Sequence, residues 1–315
     1  MSTQEAVPFP QLEELTIVDA DSHLSAGKDT ILEYIEPTNA AKRIIETGDV
    51  GSEIMTTARA SPAFPNDSAS YDGDGSVVPG NAHTPEGKLE YMEEFDLDIS
   101  ILTAGSGLGT INHDQTAVAW AHAYNSWLLD EWVDADERLH AAALVAHHVP
   151  DRAAEEIDRM ASEDRIVAVQ VPAAGQIPPA GHHSYDPIYE AAEDHGLPII
   201  LHTADHTSVV TFPVQFRWAE TFAESHAFSF PVEGMWHMIS LVCNGVPERF
   251  PDLEFVFQEP GFEWLPWMMW RLDDHYLQYS EDLPMLRKMP SAYIRDQFYI
   301  TTQPLGHTEY HKHMG

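Results

Sequence analysis

Short apolar runs alternate with stretches of helical period along most of the chain. Read as strands, the apolar runs are TIVDADSH (16–23), DISILTAG (98–105), LHAAALVAH (139–147), RIVAVQVPAAG (165–175), LPIILHT (197–203), LEFVFQEPG (253–261) and DQFYITT (296–302). Between them the period predicts helices. Thr84 is placed to cap one that runs to Leu97, with Pro85 at its first position. A second covers 114–135, with Trp120, Tyr124, Trp127 and Leu128 on one side. Others run from Pro150 to about Ser162, through SYDPIYEAAEDHG to a closing Gly196, around Glu233–Asn244, and through WLPWMMWRLDDHYLQY. Residues 24–83 lack either period and are rich in Gly, Pro, Ser and Asp, which predicts a loop-rich insertion.

Strict alternation of strand and helix implies an α/β protein with a parallel sheet. The chain of 315 residues suits one barrel domain over 1–315 with 24–83 as its insertion. An open doubly wound sheet is the rival, but no G-x-G-x-x-G follows the first strand. The expectation is therefore a distorted TIM (β/α)8-type barrel with seven strands. The segment after Thr302, QPLGHTEYHKHMG, is too short for another crossover helix and strand, so the barrel is expected to be incomplete, its eighth strand missing.

Charge changes the picture of where the protein works. Asp and Glu number 51 against 16 Lys and Arg, a formal net charge of −35. Lysine is confined to Lys28, Lys42, Lys88, Lys288 and Lys312. So much like charge repels itself unless salt screens it, which points to a salt-rich cytoplasm and to a halophilic, acidic proteome. It argues against nucleic acid and anionic membrane as partners. The expected partner is a small-molecule substrate, with self-association left open. Cys243 is the only cysteine, so no internal disulfide forms. The N-terminal stretch shows no signal-peptide pattern, and no apolar run approaches a membrane span.

Candidate chemistry lies at strand ends. In TIVDADSH, Asp19, Asp21 and His23 occupy alternate positions, so a regular strand turns all three to one face. Buried ionisable groups need partners. In a parallel barrel the C-terminal strand ends gather at one mouth, which brings Asp21 and His23 together with His202 and Glu259. Carboxylate and imidazole suit zinc, manganese or iron. The tryptophans Trp264, Trp267 and Trp270 have helical spacing and read as core, Arg271 and Asp273 as an ion pair, and His147–His148 and His182–His183 as solvated loop residues.

Several of these stretches resemble one family. VDADSHL is similar to the first-strand metal motif of the amidohydrolase-related (amidohydrolase 2) family, in the branch with aminocarboxymuconate-semialdehyde decarboxylase and the resorcylate decarboxylases. PIILHTA resembles its fifth-strand histidine. GVPERFPDLEFVFQEPGFEWLPWMMWRLDDHY resembles its sixth-strand region. The resemblance implies one divalent metal ion (Zn, Mn or Fe) on Asp21, His23 and His202. Where the decarboxylases carry a sixth-strand histidine this chain has Glu259, whose carboxyl suits acid/base work if burial raises its pKa. The family's last ligand, an eighth-strand aspartate, is expected to be missing along with that strand.

The primary expectation is a metal-dependent hydrolase acting on a small organic substrate through metal-activated water, with Glu259 as acid/base. The alternative is a non-oxidative decarboxylase of an aromatic or unsaturated acid, with Arg217 or Arg271 holding the substrate anion. A third reading is an inactive truncated barrel.

Overall fold

The computed structural model describes residues 15–24, 26–47, 84–104, 108, 111, 113–173, 176–202 and 222–301. Among them, seven parallel strands form one sheet in chain order: β1 (Val18–Leu24), β2 (Ile99–Ala104), β3 (Leu139–Leu144), β4 (Ile166–Pro172), β5 (Ile199–His202), β6 (Phe255–Gln258) and β7 (Phe298–Ile300). Sequential order with every pair parallel is the topology of a (β/α)8-type barrel, here an incomplete one among the described residues. The central strands, LHAAAL, IVAVQVP and IILH, are nearly continuous apolar runs. That is the composition of strands covered on both faces.

Helices supply the outer layer. They are α1 (Lys28–Glu33), α2 (Ala40–Thr47), α3 (Pro85–Glu94), α4 (Asp114–Trp127), α5 (Pro150–Met160), α6 (Asp186–Asp194), α7 (Phe222–Cys243), α8 (Val246–Arg249), α9 (Leu265–Gln278) and α10 (Pro290–Gln297). Thr84 caps α3 as expected, its side chain accepting from the Gly87 N–H at 3.1 Å. Gly196 ends α6 at φ +65°, where a Cβ would be strained. In α5 the buried Ala153, Ile157 and Met160 form the apolar stripe, and each large side chain so buried contributes roughly 1.5–3 kcal/mol.

Side chains between sheet and helices divide into two clusters. One gathers β1–β3 with α1–α4, around Leu24, Leu102, Leu128 and Leu139. The other gathers β4–β7 with α6–α10, around Val169, Leu201, Phe255 and Phe257. Ala142, Ala168 and Ile200, with Val256 beside them, form a small separate layer on the opposite, inner face of the sheet.

Several elements differ from the sequence expectation. Residues 28–33 and 40–47, within the supposed insertion, are helical, and α2 buries Ala41 and Ile45; the short amphipathic stripes were masked by the polar segment that follows. The long helix ends at Trp127 and continues in a wider π-helical winding over Leu128–Val133. α7 begins at Phe222 rather than near 233, and α10 was not anticipated because its stretch carries little apolar period. The expected absence of an eighth strand falls on residues after Thr301 and lies outside the described residues.

Candidate active site

β1, β5 and β6 deliver their C-terminal ends to one place. His202 ends β5, paired with Pro172 of β4 and Gln258 of β6. By alternation His202 shares the face of Ile200, and Gln258 that of Val256, so both point to the inner side of the sheet. Gln170 of β4 follows the same rule above Ala168 and grips the Ala104 backbone on both its N–H and carbonyl, at 2.6 and 3.0 Å. A polar rung of Gln170, His202 and Gln258 therefore sits above the apolar inner layer.

His23 and His202 face each other, with Nε2 atoms 2.7 Å apart and rings edge-on. Asp21 Oδ1 lies 3.0 Å from His23 Nε2 and 3.5 Å from His202 Nε2. Thr103 Oγ1 donates to the same carboxylate oxygen at 3.4 Å. Glu259 completes the group, its oxygens 3.9 Å from His23 Nε2 and 3.8 Å from His202 Nε2. Glu259 directly follows β6 at φ +65°, an unusual backbone for a residue with a side chain. Its N–H is held by Thr301 Oγ1 at 2.9 Å, and that anchored turn aims the carboxylate back at the histidines.

Burial alone would raise the Asp21 carboxyl, but hydrogen bonds and charge from His202 and His23 outweigh it and hold Asp21 well below the usual carboxylate range. Desolvation opposes charging of His23, yet Asp21, Glu259 and Asp19 together leave its pKa raised. One donor atom from each of Asp21, His23, His202 and Glu259 lies within 4.8 Å of all the others. Two imidazole nitrogens directed at one point, flanked by carboxylate oxygens, fit a borderline divalent metal ion.

The remaining candidates fall elsewhere. Arg271 sits on α9 beside Asp274, at 3.7 Å, and over the Trp270 ring. Its expected partner Asp273 instead accepts from the Ser291 N–H. Arg217 lies outside the described residues. Asp19 does not join the cluster: β1 carries a bulge that gives it the face of Ser100 and Leu102, so the alternating Asp19, Asp21 and His23 are split. Of Trp264, Trp267 and Trp270, the first is core and the other two are exposed. His147 is not solvated but 1% exposed, at the end of β3. A groove of about 900 Å³ on the outer helix layer, lined by Tyr34, His122, Glu156 and Arg159 among others, contains none of the four cluster residues. Sequence reading missed Gln170 and Gln258; a lone amide within a strand otherwise buried on both faces was the available signal.

The family model described as "Amidohydrolase" matches residues 18–312, and the chain belongs to that family. It is an enzyme, of the hydrolase or carboxy-lyase kind. Gamma-resorcylate decarboxylase from Rhodococcus jostii (strain RHA1) is 24% identical over 227 residues, 68% of each chain. The fold matches 5-carboxyvanillate decarboxylase from Sphingomonas paucimobilis with a TM-score of 0.68 at 18% identity, covering 93% of this chain and 82% of that one. It also matches a mutant of 5-carboxyvanillate decarboxylase from Novosphingobium aromaticivorans, solved with bound manganese and 3-methoxy-4-hydroxy-5-nitrobenzoic acid. That TM-score is 0.66 at 20% identity, over 92% of this chain and 80% of that one. Among the described residues no helix is long and apolar enough to cross a membrane.

Proposed function

We propose that this enzyme is a metal-dependent, non-oxidative decarboxylase of an aromatic carboxylic acid bearing a ring hydroxyl, rather than the hydrolase that the sequence first suggested. The observation that carries the reading is the convergence of Asp21, His23, His202 and Glu259. Its support from relatives is that they are named for decarboxylating resorcylate and carboxyvanillate, and that one solved neighbour holds manganese.

Asp21, His23 and His202 would hold one divalent ion, manganese by preference. When bound there, the ion would polarise the substrate's carboxylate or its neighbouring phenolic oxygen. The reaction breaks the bond between ring carbon and carboxyl carbon, releases carbon dioxide and places a proton on the ring carbon. No electron leaves the substrate. Glu259 is the group suited to hold that proton at its carboxyl and deliver it, since it abuts the ligand pair and is largely shielded from water. Asp21, kept ionised by the histidines, is not available as the donor. Arg271 pairs with Asp274 on its own helix, and anchoring of the substrate anion is assigned here to the metal site.

The test is to load the chain with manganese in molar salt, supply 2,6-dihydroxybenzoate or 5-carboxyvanillate in heavy water, and follow carbon dioxide. Decarboxylation with one deuterium on the former carboxyl-bearing carbon supports the reading. Turnover of an ester or amide analogue with solvent oxygen in the product, and no carbon dioxide, would return the hydrolase.

A further inference from the structure

β1 is irregular where it builds this site. Asp19 pairs with Ser100 and Ser22 with Leu102, so Ala20 and Asp21 together stand opposite Ile101. This extra residue changes which face follows. Ser100 and Leu102 share a face by alternation, and their partners Asp19 and Ser22 share it with them, toward the helix layer. His23, opposite Thr103, takes the inner face with Asp21.

A bulge leaves backbone groups outside the ladder, and here two of them find side-chain partners. The Asp21 N–H donates to Asp19 Oδ1 at 3.2 Å. The Ala20 carbonyl accepts from the Gln258 side chain, reaching across from β6. On the outer side the Ser22 hydroxyl, 2% exposed, accepts from the Lys88 ammonium of α3, itself 5% exposed.

Lys88 is out of place as mere filling. Burying an ammonium is costly unless charge and hydrogen bonds offset it. With 51 acidic residues in the chain, a surface position would offer abundant carboxylates. Instead it sits beneath the bulge, near the Asp19 charge and 5.2 Å from the centre of the Tyr91 ring. Its ammonium donates to Ser22, the residue between the two proposed β1 ligands.

We propose that Lys88 is a positioning residue: with Asp19 and Ser22 it locks the β1 bulge, and the bulge sets Asp21 and His23 against His202. The positioning role rests on the metal-site reading above, whereas the lock itself can be examined without metal.

The experiment measures amide exchange at Asp21 in the metal-free protein in molar salt, and Mn²⁺ affinity by the loss of the free-ion EPR signal. Wild type is compared with Lys88→Met and Asp19→Ala. Protection at Asp21 should fall roughly tenfold in both variants, the equivalent of one hydrogen bond, with β4 and β5 amides unchanged. Mn²⁺ affinity should fall by at least about tenfold, the range reached by removing groups that orient metal ligands. Unchanged protection at Asp21 overturns the lock. Lost protection with wild-type Mn²⁺ affinity overturns the positioning role. If wild type itself takes up no Mn²⁺ while protection falls as expected, the metal reading fails and the lock stands. Should Lys88→Met not fold, Ser22→Ala removes the same hydrogen bond with little change in volume, and undiminished Asp21 protection there overturns the proposal equally.

Discussion

Two pairs of histidines stand at the same end of the sheet and have opposite electrostatics. His23 and His202 meet beside two carboxylates, and His23 is driven toward its charged form. His147, shortly after β3, and His237, beside the end of β4, are enclosed, and burial dominates both. Burial, with the neighbouring imidazoles, pushes His147 down to about 3, and burial pushes His237 down to about 4. His237 is a neutral strut: Nδ1 accepts from the Ala180 N–H at 3.2 Å and Nε2 donates to the Ala173 carbonyl at 2.9 Å. Imidazole alone does not make a site; the acids supplied by β1 and β6 separate the candidate metal-binding pair, His23 and His202, from the structural one.

The largest effect should come from the candidate metal-binding pair. His202→Ala should lower metal affinity more than about 100-fold, since even groups that only orient ligands contribute 10–100-fold. Equilibrium dialysis against Mn²⁺ measures it, and comparable loss in His147→Ala would erase the distinction between the pairs. Next, Glu259→Gln should retain metal and lower kcat by about 10²–10⁴-fold, the usual worth of a positioned acid or base. Loss of the metal as well would make Glu259 a ligand.

The structural pair should govern acid stability. For a histidine whose folded pKa is depressed, the unfolded chain binds more protons below pH 6.5, so stability falls as pH drops through that value toward the folded pKa. His147 and His237 should each remove on the order of 2 kcal/mol by pH 5. Most carboxylates remain ionised there, so relief of charge repulsion offsets little, and molar salt suppresses that contribution further. Denaturant midpoints at pH 7 and pH 5 check this, with a flatter dependence in His237→Asn. The smallest effect belongs to Arg271→Ala, whose exposed pairing with Asp274 is worth less than about 1 kcal/mol and should leave kcat/KM within about twofold.

The contrast also explains what the sequence disclosed. The apolar runs 139–147, 165–175 and 197–203 gave their strands because a sheet covered on both faces leaves little else they could be. The convergence of Asp21, His23, His202 and Glu259 was readable because strand ends of a parallel barrel share one mouth. Alternation failed at Asp19, since a bulge carries no residue signature and reverses every face beyond it. His147 read as solvated because polarity in sequence does not reveal enclosure by distant elements. Lys88 went unread for the same reason: its meaning lies in Ser22, on another element.

The most direct test is the metal content of the chain purified in molar salt and dialysed against Mn²⁺. Wild type and His147→Ala should each retain about one equivalent, and His202→Ala almost none. Metal kept by His202→Ala, or none held by folded wild type, would contradict the account.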